Sequence, residues 1–136
     1  MTQDKTKQYL KTQVQTASKE QLVVMLYDGA IRFGEQAKSR IDAKDIEGAH
    51  NLLVKTQKIV MELLCALNTE EGGEIAGNLV ALYKYMYGRL IEANIYKDKA
   101  RLDEVLGMLR SLRTAWAQAV DNMRKASEVA PLRAGE

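Results

Sequence analysis

Apolar residues return every three or four positions along four stretches of this chain, and short polar or glycine-bearing segments separate the stretches. That spacing marks the buried face of an amphipathic helix. The first stretch opens at Ser18-Lys19-Glu20-Gln21. Ser18 is placed to cap the Gln21 amide while the Gln21 side chain reaches back, a capping box with Ala17 and Leu22 as a modest staple. The helix is expected to run to about Asp42, with Leu22, Leu26, Phe33, Ala37 and Ile41 on its inward stripe. Asp42-Ala43-Lys44-Asp45 reads as a turn, and Asp45 is a good N-cap for a second helix over about 46–67. That helix turns inward Ile46, Ala49, Leu52 or Leu53, Thr56, Ile59 or Val60, Leu63 and Leu67. The segment from Asn68 to Gly73 then breaks it, since each glycine costs a helix roughly 1 kcal/mol.

A third helix over about 74–96 carries Ile75, Leu79, Leu82, Met86, Leu90 and Ala93 at three-four spacing. Lys97-Asp98-Lys99 turns the chain. The fourth reads most cleanly, with Leu102, Val105, Leu109, Leu112, Trp116, Ala119 and Met123 in sequence. Residues 127–136 read as a frayed, flexible tail. Residues 1–17 are polar apart from Tyr9, Leu10 and Val14, an arm or short helix left loose or laid against the rest. Four helices joined by short turns pack antiparallel, so the expected fold is all-α: an up-down-up-down four-helix bundle over 18–126, ~35 Å long at 1.5 Å per residue.

Composition narrows the class. At 136 residues the chain is one domain's worth of protein, and 46% apolar with 28% charged residues excludes wholesale disorder. Twenty basic against 18 acidic side chains leave a charge of +2, too balanced to argue for a nucleic-acid or membrane-surface protein. No apolar run approaches the ~20 residues of a membrane span. The N-terminal sequence lacks the apolar stretch of a signal peptide, and the single cysteine, Cys65, fits a reducing cytosol. The single proline, Pro131, leaves residues 1–130 free of that helix breaker.

Reactive groups are scarce. His50 is the one histidine and Cys65 the one thiol, so no multi-histidine or multi-cysteine metal site can be assembled. Glu47-Gly48-Ala49-His50 spells Glu-x-x-His, but a di-iron bundle needs that motif twice. No enzyme, metal or cofactor is expected. One catalytic alternative is a histidine phosphotransfer domain, which carries its phosphate on a lone bundle histidine as His50 would. Against it, Leu53 and Val54 precede Lys55 where those domains place a lysine sooner, and Asp45 and Glu47 would repel a phosphoryl group. Cys65, among Met61, Leu64 and Leu67, is expected to pack as a small hydrophobe. Arg101, Arg110, Arg113, Arg124 and Lys125 make helix four basic, but Asp103, Glu104 and Asp121 interrupt them, so a solvated face is the better reading.

Helix one carries more apolar surface than a bundle needs. In LVVMLYDGAIRF, residues 22–33, nine of twelve are apolar against about three in seven for a bundle helix. Val23, Val24, Tyr27 and Ile31 are therefore expected to point away from the Leu22–Leu26–Phe33 stripe. In helix three, Tyr83 and Tyr87 share one flank and Tyr85 faces roughly opposite. Half-exposed tyrosines suit recognition, and a groove for a partner's amphipathic helix is one reading. A broad core, a cover formed by Tyr9, Leu10 and Val14, and a self-paired homodimer are the others.

Three runs, TASKEQLVVMLYDGAIRF at 16–33, EEGGEIAGNLVALYKYMYGRLIEAN at 70–94 and EVLGMLRSLRTAW at 104–116, resemble the flagellar secretion chaperone family FliS. The similarity covers about Tyr9 to Val120, and the order of the three runs makes it specific. Lys19 departs from the family's frequent proline at the first helical position, where lysine is also compatible. The resemblance implies a cytosolic helical bundle without enzymatic activity, a monomer or weak homodimer when free. It implies binding of the disordered C-terminal segment of flagellin in apolar grooves, without ATP. That binding would prevent early polymerisation and assist delivery to the flagellar type III export gate, whose components are further candidate partners. Carried onto this chain, Tyr9, Leu10 and Val14 form the arm that occupies one groove. Val23, Val24, Tyr27 and Ile31 form a groove wall, and Tyr83 and Tyr87 are further candidates for one. Asp28 lies in the family's MLYDGA run, as a cap, an interhelix bond or a client contact. Gly72-Gly73-Glu74 turns the chain.

Overall fold

A computed structural model describes residue 8, residues 18–67 and residues 69–134, with the side chains of 69–71 and 129–134 excepted. Among the described residues four long helices form the bundle: α1 (Lys19–Asp42), α2 (Ile46–Cys65), α3 (Thr69–Tyr96) and α4 (Lys99–Ala134). Ser18 caps α1 through the expected box: its hydroxyl accepts from the Gln21 amide at 3.2 Å and its own amide donates to the Gln21 side chain at 2.9 Å. Asp45 caps α2 by accepting from the Gly48 amide at 3.0 Å. Gly73, at φ 57° and ψ −133°, interrupts α3 in a conformation that a Cβ forbids. α4 continues as helix to Ala134, where a frayed tail from 127 was expected.

Two of the turns share one device. Lys44 and Lys97 take left-handed φ of 59° and 49° just past α1 and α3. The following amides then reach back, Asp45 to the Arg40 carbonyl at 2.9 Å and Asp98 to the Ala93 carbonyl at 3.0 Å. That six-to-one bond is the Schellman closure, which satisfies carbonyls the helix end would leave unpaired.

The helices form a ring in which α1 packs on α2 and α4, and α3 packs on α2 and α4. Their directions alternate, because pairs across the α1–α4 contact run in opposite order: Asp42 meets Lys99, Lys38 meets Asp103, Glu35 meets Arg110 and Asp28 meets Arg113. The core is filled by Tyr27 and Ala30 of α1, Leu53 and Val60 of α2, Tyr83, Met86 and Leu90 of α3, and Leu102, Val105, Leu106 and Leu109 of α4.

The inward face of α1 is rotated by one residue from the expected stripe. Tyr27, Gly29, Ala30, Gly34 and Ala37 are buried, while Leu22, Leu26 and Phe33 lie half-buried on the α2 side. Small residues cause the rotation. A Cβ on Gly34 would stand 2.5 Å from Leu106 Cδ2, and one on Gly29 would stand 3.3 Å from Ile59 Cδ1. The helix is drawn in along its narrowest face, and the larger side chains fill the flanks. Ile46, Ile75 and Met123, all expected inward, are exposed, Ile75 by 74%. Ile46 and Ile75 sit near the starts of their own helices, and Met123 lies beside Ser18 and Gln21, where α1 begins.

Candidate partner-binding site

The sequence-predicted residues do not gather on one open face. Tyr9, Leu10 and Val14 lie outside the described residues. Val23, Val24, Ile31 and Tyr87 are half-buried, and all but Val24 pack against the core. Tyr27 is 0% exposed and Tyr83 is 1% exposed, so the expectation that Tyr27 points outward is corrected. Their hydroxyls hydrogen-bond to each other across the diagonal of the ring. A phenol can enter a core when its hydroxyl finds a partner there, and here each supplies the other's. Burial pushes both phenols above the ordinary tyrosine value, Tyr27 far above it; the bond between them adds to the rise at Tyr27 and opposes it at Tyr83.

Charge closes two of the seams between helices. Along α1–α4, Asp28 accepts from Arg113 at 2.7 Å, Lys38 meets Asp103 at 2.7 Å, Lys99 meets Asp42 at 2.5 Å, and Arg110 pairs with Glu35. Asp28 is thus an interhelix anchor. Val24 and Ile31 share a flank with Asp28 and Glu35 by helical spacing, so these ion pairs roof the proposed outer wall of helix one. Along α3–α4, Arg89 reaches Glu104 at 3.1 Å and Glu92 at 3.0 Å, and Arg101 reaches Glu92 at 3.0 Å. Tyr85, exposed, donates its hydroxyl to Glu104 at 2.5 Å, and that bond with the Arg89 pairing holds the Glu104 carboxyl below its ordinary value. The basic residues of α4 are therefore largely neutralised by acidic neighbours: Arg124 and Lys125 also pair with Asp121. A solvated face, not a nucleic-acid stripe, is what the structure contains.

The α2–α3 seam differs. At one end the Asn94 amide donates to His50 Nδ1 at 3.0 Å, and the Asn94 carbonyl oxygen accepts from Lys97 at 2.7 Å. That bond fixes which flanks face each other. Helical spacing from His50 brings Val54, Gln57, Met61 and Leu64 of α2 to the same side, and spacing from Asn94 brings Val80, Tyr87 and Ile91 of α3 opposite them. Met61 and Ile91 are 39% and 38% exposed, and Ile95 beyond them 67%. Among the described residues no ion pair crosses this seam. Gln57 Oε1 is buried there without a hydrogen-bond partner. An acceptor in that state costs about 1–3 kcal/mol.

Of this strip the sequence analysis singled out Tyr87 alone, although apolar residues one position past the core stripe, at 54, 61, 64, 80 and 91, carried the same signal. Cys65, expected to be buried, is exposed at the last turn of α2, where the neighbouring helices no longer cover it. Among the described residues no three His, Cys, Asp or Glu side chains are grouped as metal ligands would be, and no helix is long and apolar enough to cross a membrane.

Residues 1–123 match the family model described as "Flagellar protein FliS". The chain belongs to the FliS family. It is 38% identical over 117 residues to the flagellar secretion chaperone FliS of Bacillus subtilis (strain 168), covering 86% of each chain. It is 37% identical over 110 residues to that of Salmonella typhimurium (strain LT2), covering 80% of this chain and 82% of the relative. Against the flagellar secretion chaperone FliSB of Pseudomonas aeruginosa the figure is 37% over 107 residues, 79% and 85% of the two chains. FliS is a chaperone family and not an enzyme family. The phosphotransfer reading of His50 falls with that assignment, and in the FliS fold described here His50 ties α2 to α3 through Asn94.

Proposed function

We propose that this FliS-family protein is a cytosolic export chaperone that holds the C-terminal segment of flagellin along the α2–α3 seam. The bound segment would be kept from polymerising and delivered to the flagellar export gate. The observation that carries the reading is the seam itself: half-exposed apolar side chains, free of crossing ion pairs, in a protein whose relatives are flagellar secretion chaperones. From His50 to Leu64 the strip is ~21 Å long at 1.5 Å per residue, room for about four turns of an amphipathic helix. Tyr9, Leu10 and Val14 are proposed to cover the groove when no client is bound. Deleting residues 1–12 is then expected to change client affinity and leave the bundle folded.

The test is co-elution and calorimetry with the C-terminal ~40–50 residues of flagellin from the same bacterium, a length able to wrap a bundle of this size. A one-to-one complex with a negative heat-capacity change is expected. Replacing Met61 and Ile91 together by aspartate should weaken it at least about tenfold without unfolding the bundle, because two charges would be buried in an apolar contact. A folded wild-type protein that forms no complex would sink the reading.

A further inference from the structure

We propose that Gln57 sets the register of the bound segment, an inference that rests on the α2–α3 seam being the client groove. Val54, Met61, Leu64, Tyr87 and Ile91 present little but apolar surface, and an amphipathic helix with anchors every three or four residues fits such a strip in several positions one turn or one heptad apart. Gln57 stands between Val54 and Met61 on the same flank, about one turn from each. Its Oε1 is buried without a partner, whereas the other amide of the seam, Asn94, is already bonded to His50 and Lys97. Gln57 is thus the seam residue with an unmet hydrogen-bonding need. Rotation about its side-chain torsions brings the amide to the mouth of the groove, where a hydroxyl, amide or guanidinium of the docked helix satisfies it. In any other register the amide and the client's polar group are both buried unpaired. A single polar residue in an apolar helix contact selects register in this way in coiled coils, at the expense of stability.

The experiment uses the full-length protein and the flagellin C-terminal peptide, with a photo-crosslinking side chain in place of the exposed Lys84 on the rim of the seam. Wild type is expected to crosslink to one peptide position. Gln57→Met, which keeps the length and removes the acceptor, is expected to melt at or above the wild-type temperature and to bind about tenfold more weakly. Its crosslinks should spread to positions three, four or seven residues apart. Val54→Ala, the control, lowers affinity while keeping one crosslinked position. If Gln57→Met binds as wild type does with a single crosslink, the register role is overturned and the client reading stands. If it melts well below wild type, Gln57 is a structural residue and the proposal is equally overturned. If wild type binds no peptide, the client reading fails and the register role with it.

Discussion

Tyr27 and Tyr83 are each other's hydrogen-bond partner, so deleting one hydroxyl leaves the other buried and unpaired. Tyr27→Phe is expected to lower stability by about 1–3 kcal/mol, and the double change Tyr27→Phe/Tyr83→Phe by less than the two single changes added together. Urea denaturation of the four proteins checks both. Tyr27→Ala empties a fully enclosed site and should cost about 3–5 kcal/mol. The pair also gives stability a pH dependence. Both phenols are raised in the folded protein, mainly by burial, and their unfolded forms ionise near about pH 10. Above that pH the unfolded chain releases protons the folded one keeps, so stability is fully present at neutral pH and falls as pH rises. Urea midpoints at about pH 8 and about pH 11 should show the loss, and the double phenylalanine variant should show less of it. Asp28 and Arg113 make a contrasting residue pair. Both are nearly half exposed to solvent, so Arg113→Ala should cost under about 1 kcal/mol despite its 2.7 Å bond.

Helix ends and helix faces respond to different information. The Ser18 box, the Asp45 cap and the break at Gly73 are settled within three or four residues, and all were legible from local residue types. Which side of α1 faces inward was not, because Gly29, Ala30 and Gly34 carry almost no hydrophobic signal yet decide where α2 and α4 can approach. Tyr27 was misplaced because the partner that admits its hydroxyl lies 56 residues away. The seam between α2 and α3 became visible only once it was known which helices adjoin and which of their charges pair. Glycines give the element-scale test. Gly34→Ala drives a methyl toward Leu106 in a filled core and should destabilise by about 1–3 kcal/mol. Gly107→Ala, on an open face of α4, should stabilise by about 1 kcal/mol. Lys44→Gly should stabilise by a similar amount, about 1 kcal/mol, since glycine takes the left-handed turn without a Cβ clash. Thermal melts of the three variants order them.

The ring as a whole divides its forces unevenly. Interhelix ion pairs lie on the two seams that include α4, whereas α2 meets α3 through apolar groups and the His50–Asn94 bond. Raising salt from about 0.1 M to about 1 M screens exposed charge, so it should lower the melting temperature slightly. If the proposed function holds, the affinity of the flagellin segment for the apolar α2–α3 seam should hardly change over the same range. α4 also carries Leu102, Val105, Leu106 and Leu109, the side of the core against which Gly34 closes. A ribosome delivers that helix after the other three. Until α4 emerges, a nascent chain holds Tyr27 and Tyr83 without the leucines that seal them from water, and Asp28, Glu35 and Asp42 stand without their partners. Closure of the core therefore waits for α4 to emerge.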